Sequence, residues 1–190
     1  MNIKNADFET IVMLGTLDDL IKKMDEEKVT FDQLKSYRGY DDLSLLSIAI
    51  GVPNFGIANL LLDENFAINI IGKPKINELG YLSYYINSKE ALALAYRLLS
   101  CGIDLNQQDK RYGNTTLMFL CINSLRCQDH EHLDFLETCI VSRKGEGLFE
   151  KNKNKICALD IICQGYSPEF VFKIQNAIKH NYMVEYPKQS

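Results

Sequence analysis

The sequence predicts an all-α fold built from repeated pairs of short helices, and three observations carry that expectation. Short apolar segments led by a hydroxyl residue recur, as in Ser44-Leu45-Leu46-Ser47-Ile48-Ala49-Ile50 and Thr115-Thr116-Leu117-Met118-Phe119-Leu120-Cys121. Each leading hydroxyl can accept from the first free amides of a helix. A second apolar segment follows each one. The breaks after these second segments also match, since Asn65-Phe66-Ala67-Ile68-Asn69 and Gly102-Ile103-Asp104-Leu105-Asn106 stand 37 residues apart. A Gly or Asn at such a break suits the left-handed conformation that ends a helix.

Taken in order, Gly15 to Met24 reads as the second helix of an end unit. The next pair is 44–50 with Ile57 to Leu62, and a weaker pair is Gly80 to Ile86 with Leu92 to Leu99. Residues 115–121 pair with Leu133 to Ile140 across a polar insertion, Ser124 to Glu131. Cys157 to Cys163 pairs with Phe170 to Ile174, entered through Ser167-Pro168. One such pair cannot bury its apolar face alone, so neighbouring pairs must stack. The Leu60-Leu61-Leu62 and Leu98-Leu99 clusters are expected between layers. The charged runs Lys22, Lys23, Asp25, Glu26 and Glu27 at one end, and Lys173, Lys179, His180 and Asn181 at the other, read as solvated outer faces.

The clearest unit runs from Gly102-Ile103-Asp104-Leu105-Asn106-Gln107-Gln108-Asp109-Lys110 to Gly113-Asn114-Thr115-Thr116-Leu117-Met118. It resembles the linking hairpin and the helix-opening Thr-Pro-Leu-His string of the ankyrin repeat family, with one residue inserted and with Thr116 and Met118 in place of Pro and His. The phased series gives five units in one domain over 1–190: an N-terminal cap at 1–36, then 37–70, 71–106 and 107–149, and a C-terminal cap at 150–184. The resemblance implies an ankyrin-type helical solenoid with projecting loops. It also implies a non-catalytic module that binds a partner protein through its concave helix face and its loop fingers. The expected partner-binding residues lie at the finger tips: Tyr40, Asp41 and Asp42; Lys73 and Asn77; Lys110, Arg111 and Tyr112; Asn152 and Lys153. Lys75, Lys151 and Asn154 stand beside them.

Composition narrows the function classes. Lys and Arg number 21 against 25 Asp and Glu, a formal charge of −4 and a pI near 5.4. A mildly acidic chain lacks the broad positive field of a nucleic-acid binder. The stretch from Arg143 to Lys155 holds five cations against Glu146 and Glu150, which reads as a mixed-charge loop. No run of about 18 apolar residues is present to cross a membrane. The polar opening from Met1 to Glu9 lacks the apolar block of a signal peptide, so a cytoplasmic location with reduced thiols is expected. Cys121, Cys139 and Cys163 lie in apolar runs and are expected to be buried.

Cys121, Cys127, His130, His132 and Cys139 form the one string with metal-ligand character. Its spacing is not that of a usual zinc finger, and Cys121 falls on a core face, so neither metal nor cofactor is expected. Cys127 with His130 is the sole nearby thiol–imidazole pair, and no phosphate loop or dinucleotide fingerprint is present. The chain is expected not to be an enzyme. Lys outnumbers Arg 16 to 5, as in A/T-rich bacterial or viral coding sequence. One specific form of the binding function is a bacterial immunity protein whose acidic balance complements a basic toxin. The alternative is an effector or regulatory ankyrin protein directed at a host or cellular target.

Overall fold

The computed structural model of the chain describes residues 5–182, with side chains through residue 179. Every regular element among the described residues is helical, and the β pairing among them is an isolated antiparallel bridge between Gln108 and Thr115. The chain falls into two compact units, one ending at Ile103 and the other starting at Asp104.

The first unit holds α1 (Phe8–Leu14), α2 (Leu17–Glu27), α3 (Phe31–Leu34), α4 (Leu45–Gly51), α5 (Phe55–Asp63), α6 (Glu78–Leu82) and α7 (Lys89–Ser100). Helix α4 packs against α1, α5 and α6, and α7 packs against both α5 and α6. Thus α1, α4 and α6 form one row, with α5 and α7 beside it. The second unit holds α8 (Thr116–Ser124), α9 (His130–Ser142), α10 (Ala158–Gly165) and α11 (Pro168–Tyr182). There α8 packs on α9 and α10, and α11 packs on α9 and α10.

Capping explains where the helices begin. Ser44 Oγ accepts from Ser47 N at 3.1 Å, and Thr115 Oγ1 accepts from Met118 N at 3.1 Å. Thr16 with Asp19, and Thr30 with Gln33, form reciprocal boxes that satisfy two free amides each. Each such cap stabilises its helix by about 0.5–2 kcal/mol. Burial explains why the helices stay together. In α4 every residue from Leu45 to Ile50 is buried, as an element flanked on several sides requires. Leu61 and Leu98 are fully enclosed and Leu99 nearly so, whereas Leu60 and Leu62 are half-buried at the edge of their helix.

Several expectations need correction. Helices α1 and α3 were not anticipated, although Phe8, Ile11 and Val12 carry the i, i+3, i+4 spacing of a buried face. Helix α6 starts at Glu78 rather than at Gly80, because Asn77 caps it through Oδ1, which accepts from Gly80 N at 3.0 Å. Asn77 is completely buried and is no finger-tip residue. Lys23 is buried too, its stem inside and its ammonium 2.5 Å from Glu27 one turn on. Cys121 and Cys139 are buried as anticipated, but Cys163 is exposed because the inward face of α10 is set by Ala158 and Ile162. Lys173 and Lys179 are exposed, while the side chains of His180 and Asn181 lie outside the described residues.

Candidate functional site

The anticipated tip residues gather into two loop pairs, one in each unit. In the second unit, the chain between Asp109 and Asn114 turns around a single carboxylate. Asp109 Oδ1 accepts from Arg111 N at 2.6 Å and Tyr112 N at 2.7 Å, and Oδ2 accepts from Asn114 N at 2.7 Å. An aspartate can close such a turn because its short side chain reaches amides two residues on. Gly113 completes it at φ +70°, a region that L residues with a β-carbon rarely enter. With the backbone fixed, Lys110, Arg111 and Tyr112 all project outward, and the Arg111 guanidinium stacks 4.8 Å from the Tyr112 ring centre.

The following loop is tied to this one. Lys153 N donates to Tyr112 O at 2.9 Å, and Lys153 Nζ donates to the carbonyls of Lys110 (2.7 Å) and Arg111 (3.0 Å). Asn152 is half-buried: Nδ2 donates to Asn114 Oδ1 at 2.7 Å, while its Oδ1 accepts from Asn154 N and Ile156 N. Lys153 and Asn152 therefore shape the finger, and the outward chemistry is that of Lys110, Arg111 and Tyr112.

In the first unit, Tyr40, Asp41 and Asp42 form a 3-10 turn in which Asp41 and Asp42 both have positive φ, 58° and 61°. Aspartate tolerates this conformation better than most residues. Glu9 on α1 braces the turn, both its carboxylate oxygens lying 3.1 Å from Tyr40 N. Lys73 N donates to Asp41 O at 2.7 Å, joining the two loops by main-chain atoms, as in the second unit. Gly72 allows this approach, since a β-carbon there would stand 2.6 Å from Asp41 O. Lys73 Nζ reaches Asp42 at 3.8 Å, a solvated pair of small energetic weight. Tyr40 is 77% exposed and Asp42 is exposed, while Asp41 is half-buried.

Behind these loops lies Glu78, fully buried. Its Oε1 accepts from Ser47 Oγ at 3.0 Å and its Oε2 from Asn69 N at 2.9 Å, so it pins the chain leading to Lys73 against α4. Burial pushes its carboxyl pKa up, against the hydrogen bonds that favour the charged form. Asp109, Glu9 and Glu78 were not singled out in the sequence. Asp109 stood inside the repeat motif; Glu9 and Glu78 act on residues 31 positions away, which no local pattern reveals.

The thiols and imidazoles are dispersed by the helices. Cys121 and Cys139 are enclosed, and burial pushes both thiols well above the usual range. His132 is buried with Nδ1 2.6 Å from Asp129 Oδ1, whereas His130 is exposed and pairs with Asp134 at 2.8 Å. That contact with His132 holds the Asp129 carboxyl below the usual carboxylate range. Among the described residues, no three His, Cys, Asp or Glu side chains are grouped to hold a metal ion. No helix among them is long and apolar enough to cross a membrane.

No protein-family model matches the chain, and no curated protein matches it by sequence. Solved structures do share its fold. A chain in the structure of Bd0816 predatory endopeptidase from Bdellovibrio bacteriovorus, in complex with immunity protein Bd3460, is similar at 13% identity with a TM-score of 0.66. The match covers 90% of this chain and 80% of that one. A functionally unknown protein from Leptotrichia buccalis C-1013-b is similar at 16% identity with a TM-score of 0.68, over 94% of this chain and 96% of that one. At these identities the likeness is one of fold.

Proposed function

We propose that the chain is a short ankyrin-type repeat protein that binds another protein stoichiometrically and catalyses no reaction. The specific form we propose is an immunity protein that occupies and blocks a toxic partner in the cytoplasm. The observation that carries this reading is the Asp109 finger. Its backbone is fixed from within and from the neighbouring loop, while the side chains of Arg111 and Tyr112 are stacked on each other and exposed. Arg and Tyr are the residue types that most often dominate binding energy, and a preorganised loop loses little entropy on docking. Two features support the ankyrin reading: one helix pair in each anticipated unit from 37–70 onward, and loops joined by a main-chain bond in both compact units. The fold likeness to a chain from an endopeptidase–immunity complex supports the immunity form. A reducing compartment suits six free cysteines.

Affinity capture from the native organism, with wild-type chain and the Arg111→Ala/Tyr112→Ala variant side by side, tests the reading. The wild type retains a stoichiometric protein whose own activity it inhibits. The double variant retains it at least about thirtyfold less well, as expected for loss of roughly 2 kcal/mol of binding. Its Tm moves by no more than about 2 °C, because the two side chains are exposed. Equal retention by both forms removes the finger from the site, and turnover of the captured protein by the chain overturns the non-catalytic reading.

A further inference from the structure

The α1–α4–α6 row carries an open groove of about 250 Å³ that the loop tips do not account for. Its walls are Glu9 and Met13, one turn apart on α1, and Tyr81 on α6; Ile48 and Val52 lie between, and Tyr40 stands at the mouth. Gly51 supplies the depth. A β-carbon on it would have Tyr81 as its nearest neighbour, 4.0 Å away, so the space beside α4 exists because this residue lacks a side chain. The end of α4 is fixed there by Tyr85, whose hydroxyl donates to Gly51 O at 2.9 Å.

The groove's own lining carries one sign of charge, and Lys73, a cation at the rim, stands 3.8 Å from Asp42. The lining includes the Glu9 carboxylate and no cation, and Asp41 and Asp42 follow Tyr40 at the rim. Asp41 and Glu78 add their negative field to burial at Tyr81, whose hydroxyl is pushed up to about 12. Through Ile103, ten Lys and Arg stand against fourteen Asp and Glu, a net −4, whereas the remainder has eleven of each. Met13 and Tyr40 expose apolar surface to solvent beside these carboxylates.

We propose that this groove receives one apolar side chain of a partner protein, of Leu, Met or Phe size, from a segment with Lys or Arg beside that anchor. The proposal rests on the protein-binding reading and names the chemistry the first unit would recognise. The volume is below the roughly 300–1,000 Å³ of small-molecule sites and suits one large side chain. The apolar lining from Met13, Leu43, Ile48 and Val52 favours an apolar anchor, while Glu9, Asp41 and Asp42 favour a cation at its flank and disfavour an acidic segment. Glu9 keeps acceptor capacity for it, because an ionised carboxylate accepts more bonds than Tyr40 N supplies.

The test is selection from a displayed library of random peptides against the immobilised full chain, followed by titration of the enriched peptide in synthetic form. The enriched sequences pair an apolar residue with adjacent Lys or Arg, and the peptide shifts the amide resonances of Tyr40, Ile48, Gly51 and Val52. Gly51→Leu, which fills the groove, weakens binding at least tenfold with the thermal melt retained. Asp41→Asn/Asp42→Asn, which keeps residues suited to positive φ, weakens it about tenfold and flattens its dependence on salt between about 50 and 500 mM. No enrichment, enriched peptides without basic residues, or shifts away from these four amides overturn the groove assignment. A peptide or captured partner lost with Arg111→Ala/Tyr112→Ala but indifferent to Gly51→Leu also refutes the groove, and leaves the protein-binding reading standing. Indifference of a captured partner to both sets overturns both.

Discussion

The loop from Asp109 to Asn114 and the loop from Gly39 to Asp42 both turn the chain just ahead of an apolar helix, yet the carboxylates that brace them come from opposite directions. The first is closed from inside: one carboxylate takes three amides within five residues, and a glycine accepts the positive φ. The second has two aspartates at positive φ and is braced from outside, by Glu9 across 31 residues. A motif that closes itself keeps its residues adjacent in sequence. A loop braced by another helix needs no motif of its own, because the brace is chosen by packing.

Three sets of replacements press on that contrast. The largest effect is expected in the shared scaffold. Leu61→Ala in α5 and Leu117→Ala in α8 each remove a fully buried side chain and should lower stability by about 2–5 kcal/mol, measured by urea denaturation. A loss under about 1 kcal/mol at either site would show that the unit concerned does not depend on that packed layer. Next come the two braces. Asp109→Ala leaves three amides without their acceptor and should cost about 1–3 kcal/mol, with faster hydrogen exchange at Arg111, Tyr112 and Asn114. Glu9→Ala releases one amide beside an exposed tyrosine and should cost less, with faster exchange confined to Tyr40. Equal costs would erase the distinction between internal and external bracing.

The smallest effect is a pH dependence. Glu78 has a native pKa raised by burial above its ordinary 4.5. Its contribution to stability is therefore complete below that ordinary value and is lost as pH rises through the raised native one. Wild-type stability minus that of Glu78→Gln should fall across this window, followed by denaturation at a series of pH values. Asp160, held low by the amide of Cys157 that it accepts from, behaves oppositely: its contribution is present at neutral pH and fades on acidification. A flat difference for Glu78 would mean that its hydrogen bonds from Ser47 and Asn69 fully offset its burial.

What the sequence made legible follows the same division. The helices from α4 onward could be read because capping hydroxyls and apolar runs are local, and Ser44 and Thr115 cap where the spacing placed them. The finger carrying Arg111 and Tyr112 could be read because its turn is written within one motif. Asn77 was misplaced because an asparagine looks alike at a solvated tip and at a buried helix start. Only the packing of α6 on α4 decides between them. Lys23 was misplaced because a long aliphatic stem lets a charged residue lie inside with its head at the rim. The groove was invisible because its floor is a missing side chain, Gly51, and its walls come from three helices and a turn.

The main-chain links from Lys73 to Asp41 and from Lys153 to Tyr112 have an evolutionary consequence. Every residue except proline can donate such a bond, so substitutions at Lys110, Arg111 or Lys73 change the exposed side chains without removing the links beneath. On the protein-binding reading proposed above, a lineage facing a changing partner could revise its recognition one letter at a time, while an insertion between the tied positions would disturb two neighbouring loops at once.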